Sequence, residues 1–251
     1  MEQGLKKSSG EGKTFLQVAY GKLRQKTTEN GQRVTKDTPG AVLRKTQSGE
    51  ESWAIEYDSI TGTIENMYFK QDAQYGDSYE VTVRVVADLF QISFKDESGF
   101  WRSFMERLPN VNIKDVVKIG VYDFESGERR NVGTYLEQEN NDKAEERQSK
   151  NGTVRHVLPS AYVKKDKDGN IKFMHGYPPS TGVEFKNKNE RKKYFIDLYA
   201  FLAGEFNRFV AKADFNAPHE KTAGSGTGEG VPEYTAEYVP PVDDEMDGLP
   251  F

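Results

Sequence analysis

The chain contains no cysteine. Disulfides, thiolate metal sites and a cysteine nucleophile are thereby excluded. Histidine is nearly as scarce. His156, His175 and His219 are scattered, and no two stand at the helical spacing of a metal-ligand pair. Neither a phosphate-cradling GxxxxGK followed by Ser or Thr nor a GxSxG nucleophile turn occurs. No apolar run approaches the roughly 18 residues needed to span a membrane. The opening MEQGLKKSSGEGK lacks the apolar stretch of a signal peptide. These absences lead us to expect a cytoplasmic protein that is not an enzyme, with no cofactor, no metal and no membrane contact. Dispersed carboxylates leave no local motif, so a metal-dependent nuclease stays as an alternative. Hydrophobic residues make up 35% of the 251. That lies below the roughly 45–50% of a typical globular domain, so part of the chain should lie outside any core.

The charge is unevenly placed. The formal net charge is −5, but seven of the 40 acids fall from Glu229 onward, where there is no Lys or Arg. Residues 1–228 then hold 33 acids against 35 bases, a net of +2. A weakly basic body with an acidic tail is an asymmetry found in nucleic-acid binders. Aromatics are plentiful, with 13 Tyr and 15 Phe.

Read in order, residues 1–12 are polar and expected to be disordered. Thr14–Leu23 has β-type content, with Phe15, Val18 and Tyr20 available for pairing. Lys22, Arg24 and Lys26 follow, as a basic arm or as a solvated edge strand. Ala41–Thr46 and Ser52–Tyr57 read as a hairpin around Ser48-Gly49. Ile60–Lys70 reads as a long strand with bend or bulge points at Gly62 and Asn66. Tyr79–Val86 alternates strictly, and Leu89–Lys95 follows a turn at Ala87-Asp88. Ser98–Leu108 changes to helical spacing, with Trp101, Phe104, Met105 and Leu108 on one face. Val116–Phe124 and Asn131–Glu137 are strands again. This order, three strands, a helix, then two strands, is that of an OB-type barrel. Fold class is therefore expected to be mainly β with helices.

Gln138–Asn151 is charged throughout and reads as a loop or hairpin excursion. Ala161–Met174 is expected to be a hairpin turning at Asp168-Gly169-Asn170. Its Lys164, Lys165, Lys167 and Lys172 form either a basic finger or a solvated tip. Glu190–Asp214 is the one long helix, capped by Asn187 or Asn189. Its stripe of Phe195, Leu198, Tyr199, Leu202, Phe206 and Phe209 packs on the barrel or forms a homodimer surface. From residue 216 to 242 the composition is that of a flexible linker.

The last nine residues, DDEMDGLPF, place Asp243, Asp244, Glu245 and Asp247 before Leu249, Pro250 and Phe251. Such a segment has too little apolar surface to fold alone. It suits a peptide ligand: basic surface steers the acids and a pocket takes the Phe251 ring. This ending resembles the C-terminal tip of bacterial and bacteriophage single-stranded DNA-binding proteins. The layout of ordered domain, linker and acidic tip is similar to that family too. About fifty residues precede the barrel and a long helix precedes the linker, which is closer to phage replication forms. The resemblance implies an OB-type domain over residues 13–215 that coats single-stranded DNA in replication, recombination or repair. It also implies a tip over residues 243–251 that recruits a polymerase, helicase or primase. A protein-interaction module using the same tip without DNA binding is the alternative.

Binding single strands without sequence choice needs cations for phosphates and flat rings for bases. Alternation with a bulge near Asn66 puts Ile60, Ile64, Met67 and Phe69 inside, and Tyr68 and Lys70 outside. It also puts Arg84, Lys118, Tyr122 and Phe124 outside. Arg129, Arg130 and Tyr135 complete the candidate DNA-binding set. Trp53 and Trp101 are expected to be core or intermodule contacts, not base-stacking groups.

Overall fold

The computed structural model describes residues 12–28, 31–45, 49–127, 129–149, 152–179, 185 and 187–215, residue 129 by its backbone alone. The terminal segment 1–11, the linker and the acidic tip lie outside them.

The chain is mainly β. Strands β1 (Lys13–Ala19) and β2 (Lys22–Gln25) are followed by β3 (Ala41–Lys45), β4 (Glu51–Tyr57), β5 (Ser59–Lys70), β6 (Ser78–Val85) and β7 (Asp88–Lys95). Helix α1 (Gly99–Arg107) comes next. Then come β8 (Val117–Ser126), β9 (Arg129–Glu137), β10 (Glu145–Gln148), β11 (Val154–Val157), β12 (Val163–Lys165), β13 (Ile171–Phe173) and helix α2 (Lys188–Lys212). Eleven strands form one mixed sheet in the order β10-β11-β9-β8-β5-β6-β7-β1-β2-β4-β3, and β12 and β13 pair separately.

The order β9-β8-β5-β6-β7 within that sheet carries the expected strand-helix succession. The expected closure into a barrel is not made by strand pairing. The free edge of β7 is taken by β1, in parallel, and no pairing joins β7 to β9 among the described residues. Helix α1 instead lies along β9. Ser103 Oγ donates to the Thr134 carbonyl at 2.9 Å, and Thr134 Oγ1 donates to the Phe100 carbonyl at 2.9 Å.

Local chemistry accounts for most of these elements. The stretch read as one β segment, Thr14–Leu23, is a hairpin. Ala19 pairs with Lys22, leaving a two-residue loop in which Tyr20 and Gly21 have φ of 57° and 65°. That is the left-handed geometry of a tight hairpin turn. The β6–β7 turn sits one residue earlier than expected, because Val85 pairs with Asp88. The bulge in β5 falls between Ile64 and Asn66, as the alternation demands. Ser98 caps α1 by accepting from the Trp101 amide. Asn187 caps α2 by accepting from the Asn189 and Glu190 amides. The Ala161–Met174 hairpin forms as β12–β13, with Gly169 at φ 81°.

The core lies between the inner sheet face and the two helices. Ile64, Met67, Val81, Val83, Ile92 and Phe94 meet Trp101, Phe104 and Met105 of α1 and Leu198, Leu202 and Phe206 of α2. The α2 stripe thus packs into its own domain. Trp101 is fully buried and stacks on Tyr79 with centroids 3.6 Å apart. Burial pushes the Tyr79 phenol up to about 12.

Neither alternative for residues 22–26 holds: β2 is not an edge strand, since it pairs with both β1 and β4, and its cations do not form a free arm. Arg24 is buried and its Nε meets Glu56 Oε1 at 3.0 Å. Lys22 pairs with Asp58, and burial lowers the Lys26 pKa. This stretch ties β2 to β4 and to Asp58, the residue between β4 and β5.

Candidate nucleic-acid interface

Register places the outward residues of four neighbouring strands, β5, β6, β7 and β1, in rows. One row runs Tyr68, Glu80, Ser93, Gln17. The next runs Asn66, Thr82, Gln91, Phe15. Lys70, Ser78 and Lys95 lie beyond the first row, and Thr63, Arg84, Leu89 and Lys13 beyond the second. Side chains in register across neighbouring strands share a face, so all of these stand on the side opposite the core.

Two exposed rings flank this face: Tyr68 on β5 at 37% and Phe15 on β1 at 55% exposure. Three strand spacings across and two residues along the strands separate them, about 16 Å. Between them the floor is polar and closed. Glu80 is buried and accepts from Ser78 Oγ at 2.8 Å, Ser93 Oγ at 2.9 Å and Gln91 Nε2 at 3.0 Å. Thr82 Oγ1 is buried without a hydrogen-bond partner among the described residues. Cations stand at the corners: Lys13, Lys70, Arg84 and Lys95. The carboxylate at the floor repels phosphate. A nucleic acid on this face would therefore lay its bases over the rings and its phosphates toward the rim.

Two of the corner cations are already engaged. Lys70 Nζ lies 3.0 Å from Asp72. The Asp72 partner raises the Lys70 pKa, and Lys70 in turn lowers that of Asp72. Arg84 Nε lies 3.0 Å from Glu65. Lys13 and Lys95 have no carboxylate partner among the described residues. Sequence alternation placed Tyr68, Lys70 and Arg84 on one face but could not show whether an acid sits beside each cation. It missed Phe15, Lys13 and Lys95 as members, because they join the face through the β1–β7 pairing.

The rest of the expected set is arranged differently. Tyr122 was expected outside and is buried, at 5% exposure. The backbone of Gly21 in the β1–β2 turn lies against Tyr122 and Asp123. The Tyr122 ring lies over Gly133 of β9, in space that any Cβ there would fill. Tyr135 lies over Gly120 of β8 in the same way and is half-buried. Arg155 sits 4.5 Å from its ring centroid and Lys118 5.9 Å, and burial raises its phenol pKa. Lys118 and Arg155 share Glu137. Arg130 makes a bidentate pair with Asp123, at 2.7 and 2.6 Å. Arg129 has no described side chain. The β8–β9 half is thus a neutralised, packed cluster, and Tyr122 and Tyr135 serve as fillers over glycine. Phe69, expected inside, is 38% exposed. It lies next to the last residue of β5 and tilts onto Tyr79 at 4.8 Å.

Among the described residues, no group of three or more His, Asp or Glu side chains is placed to hold a metal ion. No described helix is long and apolar enough to cross a membrane. No family model, curated protein or solved structure matches this chain.

Proposed function

We propose that the protein binds single-stranded DNA without sequence choice on the outer face of β5, β6, β7 and β1, in replication or recombination. The observation that carries this reading is the pairing of two exposed rings, Tyr68 and Phe15, across a polar floor with cations at its rim. Each base has a π-face that a ring can cover, and stacking of this kind is worth about 1–3 kcal/mol per base. The succession of strands around α1 suits an OB-type domain whose closing pair is replaced by β1. The resemblance of residues 243–251 to the tip of single-stranded DNA-binding proteins supports the same function.

Tyr68→Ala and Phe15→Ala should each weaken oligo(dT) binding by about 1–3 kcal/mol. Neither should lower the unfolding midpoint much, since both rings are exposed. Fluorescence anisotropy titrations beside urea unfolding check this. Unchanged binding in both variants would place the interface elsewhere.

Recruitment of a polymerase, helicase or primase by the acidic tip is part of the proposal and rests on the sequence. Phe251→Ala keeps every carboxylate and removes the ring that a pocket would take. It should abolish capture of purified replication proteins while oligo(dT) affinity stays unchanged. Full retention of those partners would remove the docking role.

A further inference from the structure

A groove of about 890 Å³ opens between α1 and the β10–β11 and β12–β13 hairpins. This is near the upper end of the roughly 300–1,000 Å³ that binding pockets span. Its lining holds six Lys and Arg side chains and three glutamates. The glutamates are occupied. Glu106 accepts from the Tyr177 hydroxyl at 2.6 Å and faces Arg102 at 3.7 Å. Glu145 pairs with Arg147 at 3.1 Å. Glu205 accepts from the Tyr162 hydroxyl at 3.0 Å and pairs with Arg208.

Three of the cations have no carboxylate partner among the described residues: Arg107, Lys143 and Lys164. Arg107 is held from behind. Its Nη1 donates to the Ser103 carbonyl at 3.0 Å and to Ser103 Oγ at 2.7 Å, while its Nε is buried with no hydrogen-bond partner among the described residues. A guanidinium held through Nη1, with no hydrogen bond from Nη2 among the described residues, offers that nitrogen to an anion. Lys143, before β10, and Lys164, on β12, are both exposed, and among the described residues Lys143 Nζ reaches only the Pro109 carbonyl, at 3.5 Å.

We propose that this groove is a second contact for the same single strand, gripping its phosphodiester backbone. The inference rests on the single-stranded DNA reading and adds a division of labour to it. The sheet face offers exposed rings over a carboxylate floor, which suits bases. The groove offers three cations without a carboxylate partner among the described residues, and its Tyr162 ring is buried, which suits phosphates. A long oligonucleotide would occupy both, and a short one the sheet face alone.

The test is the double charge reversal Lys143→Glu, Lys164→Glu in the full chain, with oligo(dT) of two lengths. Both residues are exposed, so the fold should be kept, which circular dichroism verifies. Binding of the long oligonucleotide should weaken at least about tenfold at low salt, and its log–log salt slope should become shallower by about 1.4, or 0.7 for each lost phosphate contact. Binding of the short one should not change. Arg107→Lys, which keeps the charge and loses the fork, should weaken only the long oligonucleotide. If neither length responds while Tyr68→Ala still weakens both, the groove inference fails and the sheet-face reading stands. If the wild type binds neither length, the single-stranded DNA reading itself fails. If the reversal abolishes binding of a synthetic peptide of residues 243–251 and leaves both oligonucleotides untouched, the groove is a peptide site and the inference is overturned.

Discussion

Trp101→Ala should lower the stability of the domain by about 3–5 kcal/mol, the range for removing a large buried aromatic. Trp101 is fully buried. Its indole touches rings from three elements: Tyr79 stacked at 3.6 Å, Phe206 edge-on at 5.3 Å and Phe104 at 5.9 Å. Removing it opens a cavity at the point where α1 and α2 both meet the sheet. The surrounding rings cannot all move to fill it, because each sits on a different element. Urea unfolding followed by circular dichroism reads the loss. The same variant separates a core tryptophan from a base-stacking one. Below the new midpoint, whatever protein remains folded should bind oligo(dT) with wild-type affinity. Intact stability with lost binding would contradict the placement of this ring.

Glu56→Ala should destabilise by a comparable amount, about 3–5 kcal/mol, by leaving a buried cation without its partner. Glu56 holds two arginines at once. Arg24 Nε approaches Oε1 at 3.0 Å, and Arg44 binds Oε1 at 3.1 Å and Oε2 at 2.8 Å. Arg44 is partly exposed and can turn to water. Arg24, with 2% of its side chain exposed, cannot. It would keep the Ser52 carbonyl at 3.1 Å and the Tyr20 ring at 5.2 Å, neither of which offsets a full charge. Glu56→Gln retains an acceptor and should cost less. Thermal unfolding of the pair measures the difference. A loss below about 1 kcal/mol in Glu56→Ala would mean that Arg24 finds water or another acceptor.

The sequence made the inner and outer faces of single strands legible, because alternation is a local property. Val81 and Val83 face the core and Arg84 faces away, as their spacing requires. It also located the β5 bulge and the cap of α2, which depend on residues a few positions apart. It did not reveal what covers each outward residue. Tyr122 has the parity of an exposed ring, yet the Tyr20-Gly21 turn, a hundred residues earlier, covers its strand, and Gly133 opens the space for its ring. Phe15 has the opposite history. Its exposure became informative only once β1 was seen beside β7, a pairing across more than seventy residues with no local signal. Nor could spacing show that Lys70, Arg84, Lys118 and Arg130 each stand beside an acid. For the cations, placement on a face was readable and availability was not. The lysines of the β12–β13 hairpin illustrate the same limit. Lys172 is spent on Asp166 at 3.7 Å, while Lys164 lines a groove built with residues from α1 and β10.

The central claim is that this chain binds single strands through rings and rim cations. Its most direct test is a titration of the full chain with fluorescent oligo(dT) at two salt concentrations, with duplex of the same length as competitor. Binding should be tighter to the single strand than to the duplex. It should weaken as salt rises, with a log–log slope of about −0.7 for each phosphate neutralised. If the four rim cations each take one phosphate, the slope would be about −2.8. A smaller magnitude is expected to the extent that Asp72 and Glu65 hold Lys70 and Arg84. Equal affinity for duplex, or an affinity indifferent to salt, would contradict the account.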